Sequence, residues 1–440
     1  MKKVVAVLVC CVIMGTTMPV SGAINVIDFG AVADSTTDNT QAFNNALQEA
    51  GKTGDAVYVP PGQYRFDGSI VIPPAVTLKG SWEGQHWPDD GKGSTLLIFG
   101  GRDRESGEPF ATLNQNSTIR GLSLFYPEQR ANDIHPYPWT IAVRGARANM
   151  LDLRISNTYN GIDCGTVYGT AHHMRNIDMA AARRGVYIDR CSDIGRVENV
   201  HIHPASWVYQ KDGGTYLDLK KYSMENLEGF IIGRCDWEYM VDCFVIWMKT
   251  GFRFSPTPLR EGEKTKGIDE ANILITQSGS DLSPLSVVIE KVQDHAGIAF
   301  ENCQFMNGFE IQEGNTGPLK LTNCGFWGET NTGSLKGSIV VNKGSGQIMI
   351  TSCHFSTWED PGRKDIVWNP DAPLIDMHNG SLIITGCVFK DYGVPFKTHI
   401  LLRENADAAV INGNIVQGGK LHVENRSKAD VQIFGNVQAR

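Results

Sequence analysis

The chain has 440 residues, 47 of them glycine, and a formal net charge of −8. A net negative charge argues against nucleic acid as a partner. The cysteines beyond Cys11 lack the short, dense spacing of a disulfide-linked scaffold. No linker rich in proline or serine divides the chain, which indicates one large domain.

The N-terminus has the layout of a secretory signal peptide. Two lysines precede an apolar run from Val4 to Met14, and small residues lead to Ala23. This pattern predicts a signal peptide over residues 1–23, with an apolar run too short to span a bilayer. No later segment is apolar enough to cross a membrane. We therefore expect a secreted or periplasmic protein with no membrane partner, whose mature domain covers residues 24–440.

The mature chain begins with "INVIDFGAVADSTTDNTQAFNNALQEAG", followed by "DAVYVPPGQYRFDGSIVIPPAVTLKGS". Thr37 or Asp38 can cap a helix that runs to about Ala50. Its apolar face contains Phe43 and Leu47. Such a helix would cover the open end of a stack of strands, whose edges otherwise favour aggregation.

These two stretches, residues 25–80, resemble the opening of the pectate-lyase-like superfamily. That superfamily includes relatives of family 28 and family 55 glycoside hydrolases and phage tailspikes. The resemblance implies a β-helix fold, but it leaves the reaction undetermined because fold does not fix function.

From about Ser117 the sequence repeats with a period of 23 to 24 residues. In each unit an Asn or Asp precedes a glycine strand by nine residues, as in Asp152 and Gly161. Short strands at this period predict an all-β, right-handed parallel β-helix, with a jelly roll or propeller as the alternative. We assign residues 24–116 to the N-terminal cap and first coils, and residues 117–440 to the solenoid. The repeated positions are Asn176 with Gly185, Asn199 with Val208, and Asp242 with Gly251.

Two columns of repeated residues are interpreted as structural. The Asn and Asp positions would stack at one corner and bond neighbouring turns. Buried thiols behave as small apolar groups, so the recurring cysteines are expected in the core. They are Cys303, Cys324, Cys353 and Cys387, with Asn414 in the next equivalent position.

Two carboxylates follow the glycines of adjacent coils. Asp163 and Asp189 would lie on adjacent coils with an offset of two residues along the strand, which places their backbones roughly 8 Å apart. Inverting glycosidases need about 6.5–9.5 Å between their carboxyl groups. We therefore predict that these two residues form a general acid and base pair on an outward face.

The segment "NTYNGID" also resembles the "NTDGID" of polygalacturonases. The family's Asp before glycine is Asn160 here, and its Asp pair is Arg183 and Arg184. Its "GHG" is replaced by "KTGFRF". The family 28 catalytic residues therefore do not carry over.

Basic residues on the same face favour a second mechanism. Arg184, Lys249 and Arg253 could neutralise a uronate carboxylate or act as the base of a lyase. Their alternative role is ion pairing with Asp163 and Asp189 on a solvated face.

The solenoid is interrupted at about residues 211–239 by a predicted excursion that would wall a binding groove. Trp237 and Glu238 follow in "CDWEY", and they suggest sugar stacking and an alternative acid. Tyr187 and Tyr209 are further candidate sugar-binding residues. The alternative for this segment is a packed corner.

We expect an enzyme that hydrolyses glycosidic bonds of a polysaccharide, with a uronate-containing glycan favoured by the arginines. The alternatives are a polysaccharide lyase, a sugar epimerase and a non-catalytic glycan-binding solenoid. We predict no metal site, with calcium an option only for a lyase, and a monomer or homotrimer. The paired histidines are expected to be surface or turn residues: His172, His173, His201 and His203.

Overall fold

A computed structural model describes residues 23–84, 92–255, 270–328, 338–357, 371–390 and 397–439. The predicted signal peptide lies outside these residues, apart from Ala23. Among the helices in this part of the chain, none is both long enough and apolar enough to span a bilayer.

The described strands pair in parallel and wind into a right-handed β-helix, which confirms the predicted fold. Each complete coil contributes one strand to each of three faces, which we call sheets A, B and C. Five strands bend from one sheet into the next, at Asn149–Cys164, His173–Ile188, Arg196–Ile202, Ile375–Thr385 and Ile400–Asn412.

The remaining strands divide among the three faces as follows. Sheet A contains Ile24–Asn25, Ala56–Tyr58, Thr77–Lys79, Thr118–Arg120, Glu238–Val241, Ile273–Thr276, Ile298–Glu301, Leu319–Thr322, Ile348–Thr351 and Asp430–Phe434. Sheet B contains Asp34–Asp38, Gly62–Phe66, Ser94–Ile98, Ser123–Phe125, Phe244–Ile246, Gly279–Asp281, Gln304–Phe305, Gly325–Gly328, His354–Thr357, Val388–Lys390, Ile415–Gln417 and Val437–Ala439. Sheet C contains Ile70–Ile72, Ala111–Leu113, Trp139–Val143, Glu228–Ile232, Thr250–Phe254, Leu285–Ile289, Phe309–Ile311, Val340–Asn342 and Val423–Asn425.

The corner between sheets A and B is one residue with a left-handed backbone. Asn, Asp and Gly adopt this conformation most readily. The Asn176 amide donates to Asp152 Oδ1 at 2.8 Å, and the Asn199 amide donates to Asn176 Oδ1 at 3.1 Å. The predicted structural ladder is therefore present. Its positions are Gly121, Asp152, Asn176, Asn199, Asp242, Gln277, Asn302, Asn323, Ser352, Gly386, Gly413 and Gly435.

The core is a continuous column of apolar side chains inside the coils. The four recurring cysteines are all buried and unpaired, as predicted. The backbone N–H of Cys387 donates to Asn414 Oδ1 at 2.8 Å, so an amide continues the thiol column. Four phenylalanines also stack along the axis, with ring centroids 4.8–5.7 Å apart; they are Phe305, Phe326, Phe355 and Phe389.

The predicted N-terminal helix is present as α1, Thr40–Thr53. It buries Phe43, Ala46, Leu47 and Ala50 against the first coils. A single 3-10 turn, Val26–Phe29, precedes it. The helix begins after the predicted caps, because Asn39 is the capping residue, while Asp38 Oδ1 accepts the Thr40 N–H at 3.1 Å.

The excursion differs from its predicted bounds of 211–239. It leaves sheet B after Ile202, forms a 3-10 turn at Pro204–Ser206 and helix α2 at Tyr216–Asn226, and enters sheet C at Glu228. Residues 228–232 are a regular strand that pairs with 184–188. The assignment of Val208 to the glycine position is therefore wrong, because the Cβ position of Gly185 faces the carbonyl of Gly229.

Candidate functional site

The two predicted catalytic carboxylates lie on sheet C with the expected register, since Asp163 pairs with Tyr187 and Asp189 lies two residues further on. Both are fully buried, however. Asp163 accepts the N–H groups of the turn after it and an ion pair from Arg144 at 2.9 Å. Asp189 accepts the Arg234 N–H at 2.6 Å. The prediction that they face solvent is wrong, because turns and guanidinium groups cover them.

Glu238 is also fully buried. It points into the β-helix, where its Oε1 lies 3.0 Å from Nε2 of the fully buried His172. Its prediction as an acid beside a surface groove is therefore wrong. His172 is not at the surface either, because it is fully buried in the turn between sheets C and A, directly before the strand that begins at His173.

The predicted cationic residues of sheet C are mostly in ion pairs. Arg253 contacts Glu228 at 2.7 Å and Glu290 at 2.6 Å, and Arg184 contacts Glu105 at 2.9 Å. Both arginines are therefore in ion pairs, but the predicted partners, Asp163 and Asp189, are wrong, because other arginines contact those two carboxylates. Lys249 is exposed.

The predicted aromatic residues do not converge. Trp237 is 59% exposed at the turn from sheet C to sheet A. Tyr187 stacks on Trp139 and donates its hydroxyl to Asp189. Tyr209 lies in the excursion, with its hydroxyl 3.5 Å from the Pro204 carbonyl.

Sheet B carries an open groove with a volume of about 480 Å³. Its floor consists of outward residues from consecutive coils, because alternate strand residues share a face. One outward column contains His201, Phe244, Gly279 and Gln304, which pair in register. The neighbouring column contributes Asp281, Met306 and Trp327. Trp327 is 46% exposed.

Asp281 is one of the two acidic side chains that line this groove, with Asp242. Partial burial raises the pKa of its carboxyl above the ordinary value. Its Oδ1 atom is buried and has no hydrogen-bond partner in the described residues. A protonated carboxyl with an unoccupied oxygen is suited to donate a proton to a ligand.

His201 lies two rungs from Gly279, across the groove from Asp281. Burial lowers the pKa of its imidazole, which favours the neutral form. A ring nitrogen bonds the backbone of Asp242, so the other nitrogen keeps its lone pair for a ligand. His201 and Asp281 lie two strands apart in sheet B and two residues apart along the strand direction. Their backbones are therefore about 12 Å apart, which leaves room for a sugar between the side chains.

The excursion forms a wall on the Asp281 side of sheet B, although its residues are not among those that line the groove. The ring of Tyr216, at the start of α2, packs on Trp247 at 4.5 Å, and the Lys220 ammonium lies 4.7 Å above the same indole. The backbone N–H of Trp247 donates to the Asp281 carbonyl at 3.1 Å. The excursion therefore packs close to Asp281, and its role as the wall of a binding groove stays a prediction.

At the edge of the groove, Asp178, His201 and His203 each offer an atom that could bind a metal. His203 Nε2 lies 3.2 Å from Asp178 Oδ1, and His201 bonds the backbone of Asp242. These contacts account for the three residues without a cation.

The sequence contains a signal for this groove in the spacing after each corner residue. Each corner residue is followed at the second position by an outward residue of sheet B, as in Asn199 and His201. The same count from Gln277 leads to Gly279, with Asp281 two residues later. The glycine strands, on which the predicted site residues lie, belong to sheet C instead.

Comparison with known proteins agrees with this architecture. A family model described as rhamnogalacturonase A/epimerase, pectate lyase-like, matches residues 23–95. The predicted resemblance to the pectate-lyase-like superfamily is confirmed. No curated protein matches the sequence.

Several solved structures are similar to this chain at low sequence identity. The N-terminal fragment of gene product 12 from bacteriophage Phi29 has a TM-score of 0.50 at 12% identity, over 93% of this chain and 72% of that one. The A-module of a mannuronan C-5 epimerase from Azotobacter vinelandii has a TM-score of 0.41 at 12% identity, over 94% of this chain and 100% of that one. The ORF18 protein of Geobacillus virus E2 has a TM-score of 0.35 at 13% identity, over 93% of this chain and 61% of that one.

Proposed function

We propose that this chain is a carbohydrate-active enzyme that binds a polysaccharide along the sheet B groove and hydrolyses a glycosidic bond there. The description of the family matched at residues 23–95 supports action on a glycan. The observation that carries the proposal is the unpartnered Asp281 oxygen in a groove that also contains His201 and Trp327.

The two titratable groups have complementary environments. Burial raises the pKa of Asp281 and lowers the pKa of His201, so the protonated acid and the neutral base are both favoured. Groups whose pKa values are shifted in these directions can divide the roles of acid and base. Asp281 would protonate the leaving oxygen, and His201 would take a proton from the attacking water on the opposite side of the sugar.

The groove favours a neutral sugar over the uronate expected from the sequence. Among its described lining residues there is no Arg or Lys, while Asp242 and Asp281 are both present. A uronate carboxylate would meet these acidic groups without a cation to neutralise it. The indole of Trp327 and the ring of Phe244 provide flat apolar surfaces for the faces of a neutral pyranose.

The test is mass spectrometry of products after incubation with a panel of neutral and acidic glycans. We expect fragments that carry an added water, formed from a neutral glycan. Asp281→Asn should lower kcat by about 10²- to 10⁴-fold, as removal of a general acid does. Asp407→Asn, an exposed residue on a distant coil, is the matched control and should keep full activity.

Other products would contradict parts of the proposal. Fragments with an unsaturated uronate end would identify a lyase, and an altered polymer of unchanged length would identify an epimerase. Binding without turnover would identify a glycan-binding solenoid. Full activity in Asp281→Asn together with its loss in a folded Asp189→Asn would place the reaction on sheet C.

A further inference from the structure

Three side chains that can bind a metal meet inside the β-helix, away from the groove. His172, Cys191 and Glu238 are all fully buried. They lie where the chain enters sheet A in three successive coils: His172 and Cys191 precede their strands, and Glu238 is the first residue of its strand. One atom from each, an imidazole nitrogen, a thiol sulfur and a carboxylate oxygen, lies within 4.8 Å of the other two.

Several polar atoms of this cluster lack hydrogen bonds of suitable geometry. His172 Nε2 and Glu238 Oε1 are 3.0 Å apart, yet neither these atoms nor Glu238 Oε2 has such a bond among the described residues. The Cys191 thiol lies 3.3 Å from the Asp193 carbonyl, and His172 Nδ1 lies 3.1 Å from the Gly169 carbonyl, which can only accept. Nδ1 therefore carries a proton, and Nε2 faces the carboxylate.

A buried carboxylate oxygen at this distance from an imidazole nitrogen needs a positive charge beside it, which either a second proton on the ring or a metal ion supplies. An imidazole whose Nδ1–H is held by a backbone carbonyl, with Nε2 directed at other donors, has the arrangement of a metal-bound histidine.

Gly195 has no side chain, and this leaves room for the Glu238 carboxylate. Its strand lies between those of His172 and Glu238 in sheet A. A Cβ atom at this position would lie 2.2 Å and 2.4 Å from the two carboxylate oxygens of Glu238. Any other residue here would therefore displace the carboxylate from the imidazole and the thiol.

We propose that His172, Cys191 and Glu238 bind a structural zinc ion. Thiolate and imidazole donors favour zinc over calcium or magnesium, which prefer oxygen. Structural zinc sites have four ligands, and these residues would supply three of them. The buried Cys235, whose backbone pairs with that of Cys191, lies outside the group of donor atoms within 4.8 Å of one another. The ion would join three coils at one corner.

The test begins with the full-length protein purified under reducing conditions in the presence of zinc sulfate, then dialysed against metal-free buffer. Mass spectrometry should find about one zinc per chain, as expected of a closed structural site. Cobalt introduced in place of zinc should give a thiolate-to-cobalt charge-transfer band. Removal of the metal should lower Tm.

Conservative variants locate the site. Cys191→Ser should abolish the cobalt–thiolate band, and Glu238→Gln should lower metal content several-fold. Cys353→Ser, which removes a buried thiol from the distant cysteine column, should retain both the metal and the band. Wild-type protein that retains less than about a tenth of an ion per chain, or has no cobalt–thiolate band, would overturn the proposal.

Discussion

At the scale of single residues, Asp281 and His201 together determine how the proposed activity responds to pH. Activity should rise with pH through the lowered pKa of His201, because the base must be neutral. It should fall with pH through the raised pKa of Asp281, because the acid must be protonated. We expect a bell-shaped kcat/KM profile with its maximum between the ordinary values of about 3.9 for Asp and about 6.5 for His.

The profile of Asp281→Asn should keep only the rising limb of His201; an unchanged bell shape would contradict the assignment.

The stability of the same variant offers a second check. Since folding raises the pKa of Asp281, its stabilising contribution is present at low pH and is lost as pH rises through the folded-state value. Asp281→Asn should therefore gain Tm relative to wild type at neutral pH, but not at pH values below the range in which Asp281 titrates.

Two exposed tryptophans provide a matched pair for locating the sugar-binding surface. Trp327 lies in the groove and Trp237 lies at a turn outside it. Trp327→Ala should raise KM by roughly tenfold, equivalent to about 1.4 kcal/mol of lost stacking, and leave kcat nearly unchanged. Trp237→Ala should have little effect on either constant. Steady-state kinetics on the identified glycan would test this. A raised KM in Trp237→Ala but not in Trp327→Ala would place sugar binding at the turn that contains Trp237, as the sequence predicted.

Residue roles were the least predictable part of the molecule. The outward direction and register of Asp163 were correct, but its burial depends on Arg144, which belongs to the preceding coil. The inward orientation of Glu238 follows from the turn that precedes its strand, where the repeat pattern is broken. A single sequence gives the alternation within a strand, but it does not give the side chains that cover an outward residue.

At the scale of elements, helix α2 is held at its start by reciprocal contacts. Asp218 Oδ2 accepts the Thr215 N–H at 2.7 Å and lies 2.9 Å from its hydroxyl. Thr215→Ala should cost about 1 kcal/mol of local stability. Since Tyr216 follows directly and packs on Trp247, whose backbone N–H holds Asp281, KM should rise by up to roughly fivefold with kcat retained.

Thr322→Ala, at an exposed position of sheet A, is the control and should leave KM unchanged. An equally small effect of Thr215→Ala would show that the wall contributes little to binding. The position of this wall was predicted only approximately. The apolar spacing of α2 indicates a helix, but the strand at Glu228–Ile232 has no Asn or Asp corner directly before it to mark its start.

At the scale of the whole molecule, the stacked coils allow stability to be lost locally. Each coil contacts mainly its neighbours, so a core defect acts on adjacent coils first. Phe389→Ala removes one ring of the axial stack, 5.2 Å from Phe355, and should cost about 3–5 kcal/mol. Limited proteolysis should then release the C-terminal coils while the groove keeps its activity.

Phe434→Ala, which truncates a ring that is 54% exposed, should not change the proteolysis pattern. Loss of the entire structure in a single step on Phe389→Ala would contradict local unfolding. The solenoid itself was predictable from sequence, because its period, its corner residues and its alternating strands all indicate the same architecture.

The single-residue corner between sheets A and B has a consequence for how such a protein can change. From Gly121 to Gly435 this corner has the same length. In every coil, the same positions after the corner therefore point outward from sheet B. The passage from sheet B to sheet C has no such constraint, and it ranges from the continuous strand at 149–164 to the whole excursion before Glu228. A different wall could therefore replace the excursion without shifting His201 or Asp281. In this molecule the catalytic residues and the residues that select the substrate can therefore evolve independently.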